Sequence, residues 1–263
     1  KDEPAWGNAT RGFAEAELAA EQADAVVLCL GLNAMMEGEE GDSPLSDGGG
    51  DRLDIALPDI QQQLLRRIVA AGKPVILVVM SGSAGSIPWA HENVHAILQQ
   101  FYPGPEGGTA LADVLFGDFN PAGRLPVTVY RNRQQLPSFE DYSMENRTYR
   151  FFQGDPLYPF GFGLTYTQFS YSNLSVEPKD IEIDNADPEV TVKVENTGDR
   201  PGDEVVQLYL THETPPVRAP RRQLAGVKRI HLPPGETQTV KFPIRERQLA
   251  LVDDDGTFFL NPG

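Results

Sequence analysis

Basic residues are scarce in this chain: 22 Lys and Arg stand against 38 Asp and Glu, a formal net charge of −16. Phosphate recognition needs clustered cations, so nucleic acid and anionic membrane surfaces are excluded as partners, while a neutral substrate is compatible. Cysteine is almost absent. Cys29 stands alone, which rules out an internal disulfide and a cysteine-ligated metal, and its place in an apolar run reads as a buried structural thiol. No apolar run approaches the roughly 18 residues of a membrane span. The first residues have neither the basic flank nor the apolar core of a secretory leader, and the chain opens at Lys1 without Met. No compartment is written here.

What is present is organised around Ala25–Gly31, AVVLCLG, an apolar run with no polar alternation. That pattern predicts a strand covered on both faces, as in the parallel sheet of an α/β domain. Just past it, in the loop spanning 33–52, come Glu37, Glu39, Glu40 and Asp42. Open α/β sheets hold their ligands at the carboxyl ends of their strands, so this loop is the candidate chemical centre.

A length of 263 residues leaves room for one large domain or two ordinary ones. Helical spacing over Thr10–Gln22 leads into the first strand. Ile60, Leu64, Leu65, Ile68 and Val69 form the apolar stripe of a second helix, opened near Pro58 and stopped by Gly72. Strands follow at Val75–Met80 and His95–Phe101, with a short helix at Pro88–Asn93 between them and another over Thr109–Phe116. Connections of this length predict βαβ crossovers and a parallel sheet. Gly123–Tyr130 adds an extended segment to the end of this layer. Residues 131–167, dense in Pro, Gly and aromatics, read as a wrapping linker. From Phe169 the grammar turns all-β, with strands at Phe169–Val176, Glu189–Glu195, Glu204–Thr211, Gln223–Leu232 and Gln238–Ile244. This predicts a sandwich of immunoglobulin or fibronectin type III kind. A further strand begins at Phe258 and the final edge strand does not follow, so the sequence reads as a fragment at both ends. The expected division is 1–130 α/β, 131–167 linker and 168–263 β-sandwich.

Three chemistries compete for the acidic loop. Glycoside hydrolysis needs one protonated and one ionised carboxyl group, and a cluster of acids retains a proton because its charges repel. Against this stands a merely solvated acidic face. Asp42, Asp47, Asp51 and Asp54 suggest a cation, but the alternating acids and terminal Glu of a calcium hand are missing. Ser81-Gly-Ser83-Ala-Gly85 follows a strand as a nucleophile elbow would. Ser81 replaces the first glycine, however, and His212 and His231 lie far off in the β-rich half without an obvious acid partner. His91 and His95 read as helix and strand-edge residues.

The segments GEEGD, GGDRLDIALPDIQQQLLRRI, GKPVILVVMSGS, ILQQFYPGPEGGTALADVLFGDFNPAGRLPVTVYR, FEDYSMENRTYRFF and PLYPFGFGLTYTQFSYSNL together resemble the carboxyl-terminal half of glycoside hydrolase family 3, the β-glucosidase and β-xylosidase family. The resemblance implies an α/β sandwich domain followed by a fibronectin type III-like domain, with the family's N-terminal (β/α)8 (TIM) barrel absent from this chain. It implies retaining exo-hydrolysis of non-reducing-end β-D-glucosyl or β-D-xylosyl residues in oligosaccharides or in aryl and alkyl glycosides. No cofactor or metal is expected, and a periplasmic or secreted compartment is favoured. A barrel-domain Asp would attack the anomeric carbon, and a Glu of the sandwich domain would act as acid/base. Glu39, three residues before Asp42, matches that Glu, with Glu40 and Glu37 as fallbacks. Ser46-Asp47 is rejected as the nucleophile pair. Asp51-Arg52 and the Asp141-Tyr142/Arg147 segment are expected to border the cleft or merely to pack, and Glu106 to cap the Thr109 helix. Asn8, Asn146 and Asn173 stand in Asn-X-Ser/Thr frames that carry no argument for secretion. The rival from another class is a non-catalytic carbohydrate-binding or scaffold module.

Overall fold

The computed structural model describes residues 10–38, 52–179 and 188–261. The chain forms two compact units: Lys1–Ala112 with Val129–Leu136 and Asp155–Tyr158, and Asp113–Thr128 with Pro137–Gly154 and Pro159–Gly263. Residues 131–167 are therefore shared between the two.

In the first unit, helix α1 (Phe13–Gln22) leads to β1 (Val26–Gly31) and the four-residue helix α2 (Ala34–Glu37). Then come α3 (Asp59–Ala70), β2 (Val75–Met80), α4 (Pro88–Asn93), β3 (Ala96–Gln99) and the start of α5 (Gly107–Phe116). The sheet is parallel, in the order β1-β2-β3. β2 is central, and Val75, Leu77, Val78 and Val79 are almost wholly buried. Leu65 and Ile68, from the predicted stripe of α3, are buried as well.

One expectation fails at β1. The strand is not covered on both faces: Val27 is 46% exposed, and Cys29 is exposed rather than buried. β1 lies at the edge of the three-stranded sheet, and no described residue covers the face these side chains share. The segment Gly123–Tyr130 joins no described sheet. It makes an isolated antiparallel bridge, Val129 to Tyr158, and Leu125 exchanges backbone bonds with Gly161 and Phe162. Pro126, with no N–H, could not donate to a ladder.

In the second unit α5 is followed by a 3-10 turn at Arg133–Gln135, which belongs to the first unit, and by α6 (Thr148–Phe151). The strands are β4 (Phe169–Glu177), β5 (Glu189–Asn196), β6 (Gly202–Leu210), β7 (Gln223–Leu232) and β8 (Thr237–Pro243). Helix α7 (Glu246–Leu249) and the hairpin of β9 (Leu251–Val252) with β10 (Phe258–Phe259) complete it. The antiparallel sheets β4-β5-β8 and β6-β7 supply the core side chains Val190, Val192, Val194, Val206, Ile230, Leu232, Val240 and Phe242. Every second residue of β5 is buried, the alternation expected of a strand with one face in a core. The buried Glu204 carboxylate is paired. Glu204 accepts from Arg124 Nη2 at 2.7 Å and from the Tyr171 hydroxyl at 2.7 Å.

Candidate functional site

The site begins where β1 ends. Gly31 has φ 153, and a Cβ there would lie 1.7 Å from the Met80 carbonyl oxygen, so only glycine lets β1 and β2 close at this point. Gln61 of α3 holds the strand end from the other side. Its Oε1 accepts from Gly31 N–H at 2.9 Å and its Nε2 donates to the Gly31 carbonyl at 2.7 Å. The Asn33 side chain then caps α2 by accepting from Met35 N–H at 3.0 Å.

This short helix delivers Glu37 to the loops that follow β2 and β3. Glu37 Oε1 accepts from the Gly82 amide and the Tyr102 hydroxyl. Oε2 accepts from the Ser83 hydroxyl at 2.5 Å, with Arg52 Nη1 at 3.9 Å. The Glu37 side chain is 7% exposed. Arg52 in turn donates to Ser83 Oγ at 3.0 Å and to the Ala56 carbonyl at 2.8 Å. Gly82 makes room: a Cβ would sit 2.7 Å from the Tyr102 ring. Beneath it, buried Ser81 donates to the Ser83 carbonyl at 2.7 Å and accepts from Gln99 Nε2 at 3.3 Å. Loops from the carboxyl ends of all three parallel strands thus meet at one carboxylate.

The electrostatics follow from the bonds. Burial pushes the Glu37 carboxyl up, but hydrogen bonds from Ser83, Tyr102 and Gly82 and the Arg52 charge outweigh it and hold the pKa below the ordinary value. Burial and its bond to Glu37 push Tyr102 up to about 12. Burial lowers the Arg52 pKa against the pull of Glu37 and Asp54. Glu37 therefore favours the anion at neutral pH, its oxygens bonded to Gly82, Tyr102 and Ser83.

Of the residues singled out from sequence, Glu37 and Arg52 are brought together. Glu39, Glu40, Asp42, Asp47 and Asp51 lie outside the described residues. Asp54 accepts from the Ala56 amide at 2.8 Å, a local turn bond. Ser83 is bound to Glu37 and Arg52, with no histidine in the arrangement. His231, expected to lack an acid partner, has one: its Nδ1 lies 2.6 Å from Asp203, directly across the β6–β7 ladder. The register of the two strands creates that pair. His212 bonds to the Leu249 carbonyl, His95 accepts from the Val75 amide, and His91 meets the Tyr158 hydroxyl. Arg147 donates to the Ser138 and Asp141 carbonyls and ties its own loop together, leaving Phe139 and Tyr142 exposed. Glu106 accepts from the Thr109 hydroxyl at 3.2 Å at the start of α5. A groove of about 420 Å³ lies elsewhere, in the second unit, among Phe119, Leu125, Phe160, Val205 and Leu224, and no carboxylate lines it.

Sequence reading met Gly82 and Ser83 only as a doubtful nucleophile elbow and missed Tyr102 and Gln61. The signal for Tyr102 was available: it follows an apolar strand, and parallel strands gather their carboxyl ends.

Comparison with known proteins gives the family. Residues 6–166 match the glycosyl hydrolase family 3 C-terminal domain and residues 204–263 the fibronectin type III-like domain. A xylan 1,4-β-xylosidase of Xylanibacter ruminicola is 44% identical over 90% of this chain and 27% of its own length. A periplasmic β-glucosidase of Salmonella typhimurium is 36% identical over 95% of the chain and 33% of its own. The solved β-glucosidase of Erythrobacter marinus superposes with TM-score 0.84 at 37% identity, covering 100% of this chain and 36% of that one. The chain thus spans about a third or less of the length of these relatives, and no eight-stranded barrel occurs among its described residues. It belongs to glycoside hydrolase family 3, with that family's C-terminal domain joined to a fibronectin type III-like domain.

Proposed function

We propose that this chain is the carboxyl-terminal portion of a retaining exo-β-glycosidase that removes non-reducing-end β-D-glucosyl or β-D-xylosyl residues. The observation carrying the reading is the convergence of the three post-strand loops on the stem of the acidic segment, at the end of the sheet where such folds hold ligands. Relatives named as a β-xylosidase and a β-glucosidase support the substrate class.

Glu39 is the acid/base in this reading. Glu40 and Glu37 are its fallbacks, and the depressed pKa and full set of bonds at Glu37 favour Glu39 over that residue. In the first step an Asp of a partner barrel domain attacks the anomeric carbon. The C–O bond to the leaving group breaks, and Glu39 gives its proton to the departing oxygen. In the second step the Glu39 carboxylate takes a proton from water, whose oxygen displaces the Asp and releases the sugar. This chain alone, without the nucleophile, is expected to be inert.

The test is Glu39→Gln in the full-length enzyme that carries this chain. Hydrolysis of disaccharides should fall by about 10²–10⁴-fold, the usual contribution of general acid catalysis. Dinitrophenyl glycosides, which need no protonation, should keep their first step, and azide should accelerate the second. Undiminished disaccharide turnover would remove Glu39 from the role. A full-length protein that binds such sugars but hydrolyses none of a nitrophenyl glycoside panel would favour the carbohydrate-binding module instead.

A further inference from the structure

We propose that Glu37 is a positioning residue, which with Arg52, Ser83, Gly82 and Tyr102 staples both stems of the acidic loop to the carboxyl ends of β2 and β3. Its catalytic consequence rests on the reading of Glu39 given above; the staple itself rests on described residues alone.

Glu37 stands before the acidic segment and Arg52 after it, yet both bond to the same Ser83 hydroxyl. The stems therefore meet at a point fixed by β2. The Gly82 amide and Tyr102 hydroxyl add donors from two further positions, so the Glu37 carboxylate is held by groups that belong to the sheet's end and not to its own loop. The charges sit where water is largely excluded, with the Arg52 and Glu37 side chains 17% and 7% exposed. Neighbouring bonds stiffen the frame: Arg52 to the Ala56 carbonyl, Ser81 to the Ser83 carbonyl, and Gln61 to both backbone groups of Gly31. The acidic segment thus leaves from a stem whose Glu37 side chain is held in place. General acid catalysis depends on that, because the donor must reach the leaving oxygen at hydrogen-bond distance.

The experiment uses the full-length enzyme and compares a disaccharide with a 2,4-dinitrophenyl glycoside of the same sugar. Glu37→Ala should lower kcat for the disaccharide about 100-fold, the scale of an ångström of misplacement, and for the activated glycoside by less than about fivefold, with KM little changed. Glu37→Gln keeps an oxygen for Gly82 and Tyr102 and should recover to within about tenfold of wild type, with no rescue by azide. If Gln is as damaging as Ala and azide restores turnover, Glu37 is the donor and the staple role is overturned. Wild-type kinetics in Glu37→Ala would overturn it too. Should Glu37→Ala fail to fold, Tyr102→Phe removes one bond and should still cost about tenfold on the disaccharide alone; no loss there sinks the proposal. Amide exchange separates this from the Glu39 assignment. Faster exchange at residues 52–56 in Glu37→Ala, with β5 unchanged, supports the staple even if Glu39→Gln proves harmless, and unchanged exchange there counts against it.

Discussion

The two units treat apolar sequence differently. In the second, alternation and burial agree residue by residue: β5 hides Val190, Val192 and Val194 and shows its polar partners to the other side. In the first, β1 is apolar throughout, yet Val27 and Cys29 stand open while Leu30 is buried. A β-sandwich closes its core with its own strands. A parallel sheet needs layers on both faces, and a uniformly apolar strand reports that need whether or not the cover lies among the residues in view. The polar chemistry divides in the same way. Among its described residues the second unit buries the Glu204 carboxylate in a satisfied trio with Arg124 and Tyr171, whereas the first holds Glu37 and Arg52 at the rim of its sheet.

The largest expected effect breaks the second unit at its charged trio. Arg124→Met leaves the Glu204 carboxylate, 8% exposed, without its cation. Removing one partner of a buried ion pair costs about 3–5 kcal/mol, so urea unfolding of the β-sandwich should move to a markedly lower midpoint. Arg124→Met/Glu204→Gln should recover most of the loss. An unshifted midpoint in the single variant would mean that Glu204 is solvated and that the two units do not differ in this respect.

A smaller effect separates the units by pH. The Glu37 pKa is depressed, so its contribution to holding the loop stems is complete above the ordinary carboxyl value of 4.5 and is lost as pH falls through the lower, folded value. Tyr102 runs the other way: its contribution is complete below the ordinary 10 and fades as pH rises toward about 12. The Gly82 amide resonance should therefore titrate with a midpoint below 4.5, and Tyr102 absorbance with one near 12. The Val192 and Val194 side chains sit in an apolar cluster, and their amides should shift less than that of Gly82 through the same acid range. A Gly82 midpoint above 4.5 would show that burial wins over the hydrogen bonds.

Much of this fold was legible in the sequence because its signals are local. The bounds of β2 follow from an apolar run set off by Pro74 and Gly82, α4 opens on Pro88, and β-branched alternation marks the sandwich strands. The acidic loop was legible through a rule of place, the carboxyl end of a parallel strand. Its anchor was not. Glu37 meets Gly82, Ser83 and Tyr102 across separations of 45, 46 and 65 residues, and α2 is too short to show a period. Gln61 lies off the apolar stripe of α3, yet it works as a substitute ladder partner for Gly31. His231 and Asp203 could be paired only once the register of β6 and β7 was known. Periodicity says which face of an element is apolar; it does not say which polar groups the chain returns to one point.

The smallest effect sharpens the comparison at β1. With the Cys29 side chain exposed, a maleimide should modify this chain fully under native conditions, and Cys29→Ser should change stability by no more than about 0.5 kcal/mol, the usual scale for a surface substitution. Val27→Ala should be equally mild, because no packed neighbour is lost at an exposed position. In a full-length enzyme the same thiol should react far more slowly, since an apolar strand of a parallel sheet is covered on both faces when its layers are present. Equal rates in the chain and in the full-length enzyme would mean that β1 is a genuine open edge whose apolar face is never covered, and the inference from uniform apolarity to a second covering layer would fail for this strand.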